Sequence, residues 1–152
     1  MTLKTGDKIP HFTLPDQEGN LFNIETLLTN KSLVIYFYPK DETAGCTKQA
    51  CAFRDNYQDF KDAGAEVIGI SSDSEESHEN FANHHKLPFI LLSDTEGTIR
   101  TQFGVPTDLL GLLPGRVTYI IDKQGVIKYI FNSQVRIGKH ISESLRILQG
   151  LN

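Results

Sequence analysis

Two hydrophobic patterns alternate along this chain. Leu33–Tyr38 is a continuous run of β-branched and aromatic residues, which predicts a strand buried on both faces. Glu66–Ser71 and Pro88–Leu92 have the same character and predict two further buried strands. Near the other end, Val117–Asp122 and Val126–Phe131 flank a Lys-Gln-Gly turn and predict a hairpin.

Between these runs, apolar residues recur every three to four positions, which is the spacing of one helix face. The predicted helices cover Thr47–Ala63, Ser74–His85, Asp94–Phe103 and Gly138–Leu148. Ser74 is a suitable N-cap for the second of them, because its hydroxyl oxygen can accept a hydrogen bond from a free backbone N–H.

The predicted order of elements is β-α-β-α-β-α-β-β-α. Strands that alternate with helices favour a central sheet covered on both faces, and a terminal hairpin makes that sheet mixed. Thr5–Glu18, rich in Pro and polar residues, predicts an extended arm with short edge strands. The expected fold is therefore α/β, a thioredoxin-like three-layer sandwich with an N-terminal extension.

Composition narrows the class of protein. A length of 152 residues fits one domain spanning residues 1–152, and the formal charge of −4 argues against a nucleic-acid surface. No run reaches the roughly 20 apolar residues of a membrane span. The first five residues lack the apolar stretch of a signal peptide. We therefore expect a cytoplasmic protein, with a mature plastid protein as the alternative.

The candidate chemistry lies in the only two cysteines, Cys46 and Cys51. Cys46 follows the first buried strand and a short loop, so we expect it at or near the first turn of a helix. Free N–H groups and the partial positive charge at that end stabilise a thiolate, which is the reactive form of the side chain. Two thiols this close favour redox chemistry or metal binding over a structural bridge.

The segment Tyr36–Cys51 resembles the peroxiredoxins, which have Pro-x-x-x-Thr/Ser-x-x-Cys after the first long strand. Here that motif is Pro39, Thr43 and Cys46, and Cys51 matches the peroxiredoxin Q or bacterioferritin comigratory protein subfamily. The resemblance covers nearly the whole chain, and its loop 105–116 is similar to the plastid and cyanobacterial branch. One departure is Ala44, where many relatives have Pro.

The resemblance implies a thioredoxin-dependent peroxidase that reduces hydrogen peroxide and organic hydroperoxides. Cys46 would be oxidised to a sulfenic acid, and Cys51 would then form a disulfide with it. Arg116 would stabilise the thiolate and bind the peroxide, Thr43 would bridge the two, and Pro39 would shield the site from water. No cofactor or metal is expected, the reductant would be thioredoxin or a similar dithiol protein, and the chain would be a monomer.

The spacing of the two cysteines adds a constraint. Residues i and i+5 of a helix have Cα atoms roughly 8–9 Å apart, whereas a disulfide needs about 4.4–6.8 Å. If both residues are helical, that part of the helix must unwind before the bridge can form.

Several alternatives stay open at this stage. A thiol–disulfide oxidoreductase of the same fold would normally carry Cys-x-x-Cys, which is absent, and a non-enzymatic redox sensor is a further possibility. Cys51 could be ordinary core, and Gln49 could orient Arg116 or be neutral. Leu109–Leu113 could pack as a short helix or form an apolar binding patch.

The charged and titratable residues outside the motif have simpler interpretations. Lys40 and Glu42 are expected to be solvated loop charges. The adjacent His84 and His85 should point about 100° apart on a helix, which argues against a metal site there.

Overall fold

The computed structural model describes residues 2–28, 30–108 and 113–151. Its strands are β1 (Thr13–Pro15), β2 (Leu21–Asn23), β3 (Ser32–Phe37), β4 (Ala65–Ser71), β5 (Ile90–Ser93), β6 (Thr107–Asp108), β7 (Leu113–Pro114), β8 (Val117–Ile121) and β9 (Ile127–Asn132). Its helices are α1 (Glu25–Leu28), α2 (Ala44–Asp55), α3 (Tyr57–Asp62), α4 (Glu75–His85), α5 (Thr98–Phe103) and α6 (Ile137–Leu151).

A five-stranded mixed sheet forms the middle of the molecule, in the order β5-β4-β3-β8-β9. The central strand β3 is parallel to β4 and antiparallel to β8, and all six of its residues are buried. The continuous apolar run from which this strand was predicted is explained by its position, because a central strand is covered on both faces.

Side chains of β3 point alternately to two apolar clusters on opposite faces of the sheet. Val34 and Tyr36 belong to the cluster that includes Phe53 of α2 and Leu148 of α6. Leu33, Ile35 and Phe37 belong to the other cluster, with residues of the N-terminal segment and α5. The predicted three-layer α/β sandwich is therefore confirmed.

The prediction of one helix over Thr47–Ala63 is wrong in two respects. The helix begins three residues earlier, at Ala44, and it ends at Asp55, so that α3 is a separate helix. Asn56 explains the break, because its backbone N–H and its side-chain amide both donate to the carbonyl of Ala52.

Other differences concern short elements and helix ends. Helix α5 begins at Thr98 and not at Asp94, since the Asp94 carboxylate instead accepts hydrogen bonds from two N–H groups of its first turn. The β1–β2 and β6–β7 pairs and helix α1 were only partly predicted or missed, and α6 extends to Leu151.

Over the residues described here, no helix has both the length and the apolar character needed to cross a membrane.

Candidate active site

Cys46 is the third residue of α2 and is buried, with 1% of its surface exposed. Thr43 is the N-cap in extended conformation, but its side chain does not cap the helix, and the first turn has no acidic residue. The first three N–H groups of an α-helix have no partner within the helix. The sequence prediction that Cys46 lies in the first turn of a helix is confirmed.

Arg116 reaches this helix start from the residue before β8 and is only 4% exposed. Its guanidinium lies against Gly45, where an added Cβ would be 3.0 Å from Nη2. Nη1 donates to Oε1 of Gln49 over 2.6 Å, whereas the buried Nε has no partner among the described residues. The guanidinium is thus oriented by Gln49. A surface position for Arg116 is excluded.

A pocket of about 430 Å³ opens at this point of the fold. It is lined by Pro39, Lys40, Thr43, Gly45, Pro114, Arg116 and Gln134. Three residues singled out from the sequence, Pro39, Thr43 and Arg116, therefore meet around one cavity. Gly45, the residue before Cys46, also lines it, whereas Cys46 itself is not among the lining residues. The hydroxyl of Thr43 donates to the carbonyl of Lys40 over 2.8 Å, so its proton is committed while its oxygen can still accept a hydrogen bond.

Cys51 also lies in α2, and it is half-buried. Both cysteines are free thiols. Because both are helical, their Cα atoms are separated by the rise and rotation of five helical residues, roughly 8–9 Å. A disulfide cannot span that distance, so it requires a different conformation of this part of α2.

Arg100 is a second guanidinium at the site, and the sequence did not indicate it. Nη2 donates to the carbonyl of Tyr38 over 3.2 Å, and Nη1 donates to the carbonyl of Gly115 over 3.3 Å. Arg100 therefore joins the end of β3 to the residue that precedes Arg116. Burial lowers the pKa of Arg100, and nearby negative charge, including that of Cys46, partly offsets the effect. A charged residue in a short helix offered no local signal of this role.

A buried network holds the loop between β3 and α2. Asp41 accepts hydrogen bonds from the hydroxyls of Tyr38 (2.6 Å) and Ser77 (2.8 Å), and His78 Nδ1 lies 2.7 Å from its carboxylate. The backbone N–H of Asp41 donates to Asp73 over 2.8 Å. The loop that carries Pro39 and Thr43 is thereby fastened to α4 and to the end of β4. None of these residues was assigned a role in the active site from the sequence.

Glu42 is an exposed loop residue, as expected, but its carboxylate pairs with the two adjacent histidines, which was not expected. The carboxylate of Glu42 lies 3.0 Å from Nδ1 of His84 and 2.8 Å from Nε2 of His85. The ring centroids of the two histidines are 4.1 Å apart. His84 presents Nδ1, the ring nitrogen nearer to its Cβ, whereas His85 presents Nε2, the more distant one. This difference compensates for the angle between the two side chains, so both nitrogens reach the same carboxylate. Glu42 is thus a partner of α4 and not a free loop charge.

The apolar residues of 109–113 cannot be placed in either of the two predicted roles. Residues 109–112 lie outside the described part of the chain, and Leu113 is described only as backbone of β7.

Comparison with known proteins agrees with this geometry. The model of the AhpC/TSA family matches residues 5–130. The chloroplastic peroxiredoxin Q of Sedum lineare is 56% identical over 146 residues, which are 96% of this chain and 78% of that protein. The chloroplastic peroxiredoxin Q of Arabidopsis thaliana is 54% identical over 144 residues, 95% of this chain and 66% of that protein.

Solved structures give the same result. The peroxidoxin BcpB of Mycobacterium tuberculosis superposes with a TM-score of 0.92 at 37% identity, over 99% of each chain. The bacterioferritin comigratory protein of Xanthomonas campestris, solved in work on its alkyl peroxide reduction, has a TM-score of 0.85 at 27% identity, over 95% of this chain and 99% of that one. The chain therefore belongs to the AhpC/TSA family as a peroxiredoxin of the peroxiredoxin Q group, a thiol-dependent peroxidase that takes its electrons from a thiol reductant.

Proposed function

We propose that this protein reduces hydrogen peroxide and organic hydroperoxides at Cys46, forms a Cys46–Cys51 disulfide, and is recycled by thioredoxin or a similar dithiol protein. The observation that carries the proposal is the position of Cys46 in the uncapped first turn of α2, where the guanidinium of Arg116 lies against Gly45. Such an arrangement favours a thiolate and stabilises charge on an oxygen that leaves it.

In the first step, the Cys46 sulfur attacks one peroxide oxygen. An S–O bond forms, the O–O bond breaks, and the departing oxygen takes a proton to become water or an alcohol, which leaves a sulfenic acid on Cys46. The guanidinium of Arg116, which lines the pocket, is the donor for the peroxide oxygens, and Thr43, whose own proton is committed to Lys40, is the acceptor for the peroxide O–H. Together they orient the O–O bond.

The lining of the pocket supports organic hydroperoxides as substrates. Pro39, Gly45 and Pro114 give it an apolar part beside the polar groups of Arg116 and Thr43. An alkyl group would occupy the apolar part while the hydroperoxide faces the guanidinium. The study of alkyl peroxide reduction by the Xanthomonas campestris relative is consistent with this substrate class. Pro39 has no backbone N–H that needs a partner, so it can exclude water from the pocket without leaving a hydrogen-bond donor unsatisfied.

In the second step, the Cys51 thiol attacks the sulfenic sulfur, an S–S bond forms, and water leaves. Both residues are helical in the present conformation, so α2 must unwind between them. The missing side-chain cap and Gly45 in the first turn make that end of the helix easier to unwind. A dithiol protein then reduces the disulfide by exchange.

We also propose that residues 1–152 act as one domain, because two apolar clusters lie on opposite faces of the same five-stranded sheet. The chain is further proposed to act as a monomer. The compartment is proposed to be the cytoplasm or, as the names of the plant relatives favour, a plastid.

The test is NADPH consumption with thioredoxin, thioredoxin reductase and either hydrogen peroxide or an alkyl hydroperoxide. Cys46→Ser should abolish turnover, whereas Cys51→Ser should retain the first oxidation and lose recycling by thioredoxin. Far-ultraviolet circular dichroism should show less helix in the oxidised wild type than in the reduced protein. Insulin reduction without peroxide consumption would instead identify a thiol–disulfide oxidoreductase.

A further inference from the structure

We propose that Glu42, His84 and His85 form a binding site for a divalent transition metal of the zinc class. Their side chains offer one carboxylate oxygen and two imidazole nitrogens, all within 4.8 Å of one another. Two histidines and one glutamate are a donor set that holds Zn²⁺ in proteins, with water as the fourth ligand.

The present distances are close to those that a metal requires. In a tetrahedral zinc site, ligand atoms lie about 3.4 Å apart, given metal–ligand bonds of about 2.1 Å. Here one carboxylate oxygen of Glu42, Oε1, lies 3.3 Å from His84 Nδ1 and 2.8 Å from His85 Nε2. A widening of the second distance by about 0.6 Å, with the two ring nitrogens about 3.4 Å apart, would convert the hydrogen-bonded cluster into a coordination site. The two rings need only move their protons to the opposite nitrogens, because metal binding uses neutral imidazole.

The cluster is also well supported by its surroundings. The ring of His85 packs edge-on against Phe81, with centroids 5.2 Å apart, and the carbonyl of His85 accepts a hydrogen bond from Arg54 over 2.7 Å. Both histidines end α4, where the partial negative charge of a helix C-terminus favours a cation. His84 remains largely exposed, so the site is open to a metal from solution.

A second group of metal-ligating side chains, Asp41, Asp73 and His78, does not fit a metal. The carboxylate of Asp41 accepts hydrogen bonds from Tyr38 and Ser77, and both ring nitrogens of His78 have partners. Coordination there would break several buried hydrogen bonds at once, which is costly. The Glu42 cluster is therefore the preferred site.

A metal at this site would act on the catalytic helix. Glu42 directly precedes Thr43, the N-cap of α2, while both histidines belong to α4. Coordination would tie the loop before α2 to α4 and oppose the unwinding that brings Cys46 and Cys51 together. This consequence, unlike metal binding itself, rests on the proposed function.

Metal binding is tested in a Cys46→Ser/Cys51→Ser background, which removes thiols that would bind zinc themselves. Isothermal titration with Zn²⁺ should show one ion per chain and a rise in the melting temperature on binding. Loss of one ligand should weaken binding by at least about tenfold, as measured for Glu42→Gln, His84→Gln and His85→Gln.

The matched control is His11→Gln. His11 is an exposed histidine that pairs with the carboxylate of Glu25 and, within the described part of the chain, belongs to no group of three possible metal ligands. Its substitution should leave zinc affinity unchanged. The proposal is overturned if the background protein binds no zinc, or if the His84 and Glu42 variants bind it as tightly as the His11 control.

The effect on the active site is measured as the rate of disulfide formation after one equivalent of peroxide, with and without Zn²⁺. Zinc should slow this step more in the wild type than in His84→Gln. Equal slowing in both proteins would mean chelation by the thiols and would refute the link to α2. If no disulfide forms even without zinc, the proposed function fails, while the outcome of the titration stands by itself.

Discussion

His78 and Asp41 share one proton in the interior of the protein. His78 Nε2 lies 3.0 Å from the carbonyl oxygen of Leu92, which can only accept, so this nitrogen carries a hydrogen. A neutral ring would then turn its bare Nδ1 towards Asp41, 2.7 Å away, and two acceptors would face each other. A proton must lie between them, either on the imidazole or on the carboxyl group. The pair therefore fastens the active-site loop to α4 through a hydrogen bond that depends on this proton.

This relationship predicts losses of stability of different size for two substitutions at Asp41. Asp41→Ala should lower the free energy of unfolding by about 3 kcal/mol, because it leaves His78, Tyr38 and Ser77 without their buried partner. Asp41→Asn should cost only about 1 kcal/mol, since its amide can donate to Nδ1. Denaturant unfolding measures both. Equal losses for Asn and Ala would show that an amide donor does not replace the shared proton and would contradict this arrangement.

Two neighbouring tyrosines of the core should respond in opposite directions to loss of the hydroxyl. The hydroxyl of Tyr36 is buried and has no hydrogen-bond partner among the described residues, and burial, followed by the nearby charge of Cys46, raises its pKa, so it stays neutral. Tyr36→Phe keeps the ring stacked on Phe53 and should stabilise the protein by about 1 kcal/mol. Tyr38→Phe loses the 2.6 Å bond to Asp41 and should destabilise it by about 2 kcal/mol. Chemical denaturation of both variants measures these changes in stability. A destabilised Tyr36→Phe would contradict the conclusion that the Tyr36 hydroxyl has no hydrogen-bond partner in the part of the chain that the structure describes.

His140 makes the stability depend on pH. Burial lowers its pKa from 6.5 to about 4, and the neutral ring bonds to Thr118 and to the carbonyl of Ser133. As the pH falls from 6.5 to about 4, the unfolded chain takes up a proton that the folded chain does not, so the free energy of unfolding decreases, by about 3 kcal/mol in total. His140→Gln should be less stable at neutral pH but lose less on acidification. Denaturation curves between pH 6.5 and about 4 measure how the free energy of unfolding changes with pH. Identical pH dependence in the wild type and in His140→Gln would refute the lowered pKa of His140.

Position 115 requires glycine, because the backbone there lies too close to the backbone of Pro106 to leave room for a side chain. A Cβ at this position would lie 2.2 Å from the carbonyl oxygen of Pro106, so Gly115→Ala must move the chain next to Arg116. We expect a loss of about 3 kcal/mol in stability and slower oxidation of the active-site thiol by peroxide. Gly138→Ala is the control, because nothing lies within 4 Å of its added Cβ and helix α6 should gain about 0.5–1 kcal/mol. Unchanged peroxide kinetics in Gly115→Ala would show that Arg116 tolerates the shift.

Much of the architecture could be predicted because it depends on short stretches of chain. Leu33–Tyr38 is apolar without interruption, so it had to be a central strand, and the loop after Pro39 placed Cys46 at a helix start. The break at Asn56 was missed, since it comes from one side chain that competes for a backbone carbonyl within an otherwise helical pattern.

The sequence by itself determined the mixed α/β sandwich and indicated Pro39, Thr43, Cys46 and Cys51 as candidate site residues, because periodicity and motif spacing are local properties. Only the tertiary structure decided which distant side chains support that group. Arg100 reaches the carbonyl of Tyr38 across 62 positions of the chain, and His78 reaches Asp41 across 37. Such contacts follow from the pairing of β3 with its neighbours and from the packing of α4 on the sheet. They leave no periodic pattern in the residues themselves, because each is a single polar side chain whose partner is set by three-dimensional position.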